Sequence, residues 1–269
     1  MTEPTAAWQE QIAALGPFFA FETHPAASEL TSPWRTLSEV AQEESGVLRE
    51  RVTAVRASLA ARSGRPAEAV ELRVAASVAH LGLVARVISP VLGLAALHGL
   101  SSRPPTLDDL RWHSGLGGAF ALSLPGETVA SVATDHSDSG ALPRVRADAD
   151  AETNADADAD ADAVETMLDG PIRELAHATA SFSVSPRILW GNVASAVNGA
   201  AAGMASAAPA LARPARTAAL LFLSRPQLQD AHTLDAHNGR FRRRSCCLIY
   251  RAAPGASGAL CGDCVLARP

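Results

Sequence analysis

A mainly α chain with a minor β part (α+β) is what this sequence predicts: a helical domain with a small antiparallel β-hairpin and a cysteine-bearing C-terminal tail. Three observations predict it. Apolar residues in the first half recur with helical period, two long runs in the second half begin with helix-start chemistry, and only a stretch near 119–134 turns strand-like. The organisation that follows is an N-terminal helical region over 1–146 containing the hairpin, an acidic linker over 147–163, a second helical region over 164–240, and a tail over 241–269.

The first amphipathic helix is marked by Leu48, Val52, Val55 and Leu59, spaced i, i+4, i+7 and i+11, with Arg49, Arg51 and Arg56 on the outer side. Pro66 sits where a helix starts, and Val70, Val74, Val78, Leu81 and Ala85 carry an apolar stripe toward Arg86. Ser89-Pro90 then reads as a cap and first-turn proline, opening a further helix that stops at Gly99. Residues 119–124 and 128–132 read as two strands about the turn Pro125-Gly126-Glu127. A lone hairpin is marginal, so this one must pack on the helices.

Residues 148–162 approach an Ala-Asp dipeptide repeat. With low hydrophobicity and one sign of charge, they cannot offset the entropy of ordering, and disorder is expected. The glycines that turn calcium-binding repeats are missing, so a surface-loop insertion is the simpler reading. Beyond it, residues 164–181 and 185–211 read as two helices, the second opened by Ser185-Pro186. Residues 218–223, between Pro214 and Pro226, are helix or strand by length alone.

Composition excludes some classes. The formal net charge is −5 over 269 residues, but eight acidic residues and no basic one fall within 147–165; setting them aside leaves the rest at +3. Every basic residue is Arg. A mildly basic body with few aromatics for base stacking does not suit a nucleic-acid partner. The apolar run 87–97 is about half of the ~20 residues that cross a bilayer, and the uncharged stretch 188–212 is mostly Ala, Gly and Ser. No transmembrane segment is therefore expected, although peripheral membrane association is compatible with the sequence. The first residues show no basic region followed by an apolar run, so a cytoplasmic, thiol-reducing location is expected.

All four cysteines lie in the tail: Cys246 and Cys247, thirteen intervening residues, then Cys261-Gly262-Asp263-Cys264. Cysteines used as small hydrophobes scatter through a core, so this gathering reads as a site. In a reducing compartment it holds zinc or an iron-sulfur cluster. Zinc tails use two separated Cys-x-x-Cys knuckles, whereas here one half is an adjacent pair whose side chains leave an extended backbone on opposite sides. A two-iron cluster offers more widely separated attachment points.

The run 241–251, containing Arg242-Arg243-Arg244-Ser245-Cys246-Cys247, and the run 260–266 resemble the FhuF-like ferric-siderophore reductases, which bind a 2Fe-2S cluster through a C-terminal Cys-Cys and Cys-x-x-Cys. Trp190-Gly191-Asn192 is similar to that family's Trp-Gly-Asn helix segment. The family's spacer between cysteine pairs is shorter, the excess here falling in 252–259. A few extra flexible residues cost well under ~1 kcal/mol in loop closure. The resemblance implies a cytoplasmic iron-sulfur enzyme with a 2Fe-2S cluster on Cys246, Cys247, Cys261 and Cys264, which reduces ferric iron in a siderophore and releases it as ferrous iron.

Arg242, Arg243 and Arg244 then read either as a seat for an anionic chelate or acidic donor, or as a solvated charged face. Trp190 and Asn192 line the chelate pocket by the same analogy, or else are a buried tryptophan and a polar contact between helices. Gly255, Gly258 and Gly262 would let backbone N–H groups approach sulfur and raise the potential, while Asp263 would lower it. The histidines form no ligand set; His80 and His98 read as satisfied core residues. Without a nucleotide or flavin fingerprint, electrons are expected from a separate ferredoxin or flavoprotein. Two rivals remain: a helical binding protein whose four-cysteine tail holds a structural zinc, and an iron-sulfur redox sensor without turnover.

Overall fold

A computed structural model describes residues 3–100, 103–113, 118–129, 152–235, 239–253 and 260–267. The fold is mainly helical, and its centre is α4 (Leu72–His98). Ala75, Ala76, Leu83, Val84, Ile88 and Leu92 are all at most 1 % exposed, so this helix is apolar on nearly every side because other helices surround it. Its main neighbours are α3 (Val47–Arg62), α7 (Pro186–Ala207) and α8 (Ala212–Leu223). One hydrophobic core runs from Ile12 in α1 (Glu3–Ala13) to Phe241, so the regions before and after the acidic segment build it together.

The proline expected to open a helix lies inside one: α4 runs through Pro90 without interruption. Proline removes one N–H from the ladder. Beside it Ser89 donates its hydroxyl to the Ala85 carbonyl at 2.6 Å, one turn back along the same helix. Buried Arg86 donates to the carbonyls of Phe120, Phe18 and Ala20, tying two loops to the helix. Arg51, expected outside, is 3 % exposed, its guanidinium 5.0 Å over the Phe120 ring. By length and composition α4 also suffices to cross a membrane, contrary to the expectation from sequence. Of its most apolar window, 72 % is buried inside the fold.

The β part differs from the expected hairpin. β4 (Leu122–Pro125) forms, but residues 126–129 continue as a helical turn, and 130–134 lie outside the described residues. β4 pairs in parallel with β1 (Glu22–His24) and antiparallel with β3 (Arg111–His113), which in turn pairs with β2 (Trp34–Thr36). The four-stranded order is β1-β4-β3-β2. All four β4 residues are buried, so its partners had to come from distant strands rather than from the next few residues.

The acidic segment is corrected as well. From Glu152 it is helix, α5 (Glu152–Met167), continuing through a π-helical turn at Leu168–Ile172 into α6 (Arg173–Ala180). Alanine, the strongest helix former, fills alternate positions, and Ala163, Val164 and Met167 anchor the far end in the core. α7 starts after Ser185 with Pro186 in its first turn and ends at Ala207. The run 218–223 is the end of α8. α9 (Pro226–Gln229) and a hairpin of β5 (His232–Leu234) with β6 (Phe241–Arg243) lead into the tail.

Candidate functional site

The tail is seated on two helices. From α4, Ser77 donates its hydroxyl to the Cys247 carbonyl at 2.9 Å. A 3₁₀ turn at Ile249–Ala252 then packs onto a small apolar patch of Leu59, Ala60, Val70 and Val74. Arg65 and Ser63 donate to the Ala252 carbonyl, and Arg251 pairs with Glu71.

The second support is one face of α7. Positions 188, 192, 195 and 198 lie i, i+4, i+7 and i+10, a single helical stripe. Ser195 Oγ donates to Asp263 Oδ2 at 2.6 Å and Asn198 Nδ2 to Oδ1 at 3.4 Å, so the Cys261–Cys264 loop hangs from this stripe by its aspartate. Asn192 is fully buried; its amide donates to the Ser77 carbonyl at 2.9 Å, and its Oδ1 accepts from Arg243 Nη2 at 2.6 Å. Gly191 lets the tail come close: a Cβ there would lie 2.2 Å from Ser245 Oγ and 3.0 Å from Arg243 Nη2. Ser245 donates instead to the Arg187 carbonyl at 3.0 Å.

The two cysteine arms are joined at their base by the Arg243 N–H, which donates to the Asp263 carbonyl at 3.0 Å. The sulfurs meet across this joint. Cys247 Sγ lies 3.6 Å from Cys261 Sγ, and Cys264 lies near enough to Cys246 to affect its acidity. Among the described residues no three His, Cys, Asp or Glu side chains converge on a single-ion position. Directly after the adjacent cysteines Leu248 turns the chain through a left-handed conformation, φ 69°. Its N–H reaches back to Cys246 Sγ at 3.3 Å, and the Leu266 N–H does the same to Cys264 Sγ at 3.4 Å. These leucine donors, rather than Gly262, approach sulfur; Gly255 and Gly258 lie outside the described residues.

The thiols differ in acidity. A proton shared with Cys261 holds Cys247 down to about 6, helped by the Ile249 N–H and the Arg243 charge; the same sharing pushes Cys261 up. Burial pushes Cys246 up. Cys247 and Cys264 are buried, whereas Cys246 and Cys261 are half-buried beside exposed Leu260, Val265 and Leu266. Two thiol pairs, N–H donors on sulfur and a buried cation fit an anionic two-iron cluster better than one tetrahedral ion.

Residues 243–266 match the FhuF 2Fe-2S C-terminal domain. That domain names the cofactor of this tail as a 2Fe-2S cluster. The match covers both cysteine arms and leaves the helical body outside it. No curated protein matches the chain.

The other expected residues fall in different places. Arg242 is half-buried and donates to the Ala267 carbonyl; Arg243 is 1 % exposed; Arg244 is exposed and 3.5 Å from Asp230. Asn192 and Arg243 thus hold the tail, and burial keeps both from a bulky chelate. Trp190 is half-buried with the Arg173 guanidinium 5.6 Å over its ring. His80 is fully buried with Nδ1 3.4 Å from Asn192 Nδ2, but its Nε2 has no partner, so it is only half satisfied. Ser77, Ser195, Asn198 and Asp263 as an anchor went unread in the sequence. Their signal was polar residues at helical spacing within otherwise apolar helices.

Proposed function

We propose that this protein is a cytoplasmic ferric-siderophore reductase whose 2Fe-2S cluster is held by Cys246, Cys247, Cys261 and Cys264. The match of both cysteine arms to the FhuF 2Fe-2S domain carries the reading, and the pairing of the thiols supports it. The bound cluster supplies one-electron transfer. The protein's residues do the rest: α7 and α4 hold the two arms at fixed separation, while the leucine N–H groups stabilise charge on sulfur. Half-exposed Cys246 and Cys261 put that face within reach of a chelate or a donor.

One electron passes from a separate ferredoxin or flavoprotein to the tail and then to the substrate, chelated Fe(III), which becomes Fe(II). Hard oxygen ligands hold the larger, less acidic ferrous ion poorly, so reduction is release. Arg244, exposed beside the first cysteine, is the member of the arginine run available to an anionic chelate.

The test is iron, sulfide and zinc content with a visible spectrum on protein purified without oxygen, followed by mixing the dithionite-reduced protein, freed of dithionite, with a ferric hydroxamate and a ferrous trap. Two irons and two sulfides per chain, absent in Cys247→Ser, with trapped ferrous iron, are expected. One zinc and no colour would leave a structural tail; a bleaching cluster that reduces no chelate would leave a sensor.

A further inference from the structure

Among the described residues three arginines are buried, and they are not equivalent. Arg86 gives its N–H groups to three carbonyls; Arg51 also leaves Nε and Nη1 without a hydrogen-bond partner, but its guanidinium lies over the Phe120 ring, whose face takes the charge. Arg243, 1 % exposed, uses Nη2 on Asn192 Oδ1 and the Ile188 carbonyl, while its Nε and Nη1 have no partner. A buried ionised donor without an acceptor is costly, and evolution rarely leaves one uncompensated. The acidic groups whose charge reaches Arg243 are Cys247, Cys261, Cys246 and Asp263, the last joined to it by the Arg243 backbone N–H on the Asp263 carbonyl. The Asp263 carboxylate is already held by Ser195 and Asn198. The sulfurs remain.

We infer that Arg243 is a positioning residue that donates from its two unpartnered nitrogens, Nε and Nη1, to the sulfur of the bound cluster and thereby raises its reduction potential. The inference rests on the cluster reading above. A cluster on four thiolates is anionic and becomes more so on reduction, so a fixed cation and N–H···S bonds favour the reduced form. The helix segment Gly191-Asn192 then has a purpose: glycine makes room for the guanidinium and asparagine holds its third nitrogen, leaving two free for the cluster.

The experiment is an anaerobic redox titration of the full-length chain as wild type, Arg243→Gln and Arg243→Lys, with iron and sulfide counted in each. Arg243→Gln is expected to lower the reduced-to-oxidised ratio at a given potential at least tenfold, a shift of about 59 mV for one electron. Arg243→Lys, which keeps the charge without the fork, should fall between. Should the variants fail to load, wild-type protein labelled with ¹⁵N in its arginine side chains decides by electron-nuclear double resonance of the reduced cluster. A guanidinium ¹⁵N coupling supports the inference, and its absence overturns it. An unchanged potential in fully loaded Arg243→Gln overturns the inference and leaves the cluster standing. A wild type without iron and sulfide overturns both.

Discussion

The helical body and the tail bury their chains by opposite means. Around α4 the contacts are aliphatic, and any side chain of the right volume and shape serves. In the tail, apolar burial is confined to a small patch under Ala252, and placement comes from a few directed bonds: Ser77 to Cys247, Asn192 to Arg243, Ser195 to Asp263. The body therefore tolerates substitutions that keep volume and shape but not those that open a cavity, while the tail depends on single atoms. Stability and cofactor retention should respond to different residues.

The largest effect that would test this separation is in the body. Phe222→Ala, fully buried on α8, should cost about 3–5 kcal/mol in urea unfolding followed by circular dichroism, with the cluster still loaded below the transition. If iron is lost before the helices melt, body and tail are one unit and the contrast fails. Next, Asn192→Leu keeps the branched shape but leaves Arg243 Nη2 short of its best acceptor, a loss of about 2–3 kcal/mol for a bond to a buried charge. Its signature is faster cluster loss to a chelator while helical content holds.

Acid should act through His80. Burial, helped by Arg243, lowers its folded pKa to about 3 from an ordinary 6.5. The unfolded chain thus binds the proton more readily between those values, and the contribution is complete above 6.5 and is lost as pH falls below it. Between about pH 7 and pH 5 this amounts to about 2 kcal/mol, and His80→Gln should flatten that part of the urea-midpoint profile. An unchanged slope would show that this histidine titrates normally. The smallest effect is at Ser195→Ala, about 1 kcal/mol for one hydrogen bond, read as a modestly shorter cluster half-life against a chelator.

Chemistry was more legible in the sequence than geometry. The four cysteines named the site by type and spacing, and the helical period placed α3, α7 and much of α4. What escaped depended on distant partners. The β4 strand pairs with β1, about a hundred residues earlier in the chain, which no local pattern specifies. Pro90 reads locally as a helix start, yet packing on nearly all sides carries the helix through it. The Ala-Asp run was judged on its low hydrophobicity and single sign of charge, although alanine propensity and a buried far end decide for helix. Arg243 looked like surface charge because nothing in the run 242–244 shows which arginine faces Asn192.

The docking face also bears on the order of assembly. Every residue that receives the tail, from Leu59 and Ser77 to Asn192 and Asn198, precedes the first cysteine in the chain. During synthesis the residues of the berth emerge before the thiols do, so the surface that receives the cysteine arms is laid down without iron.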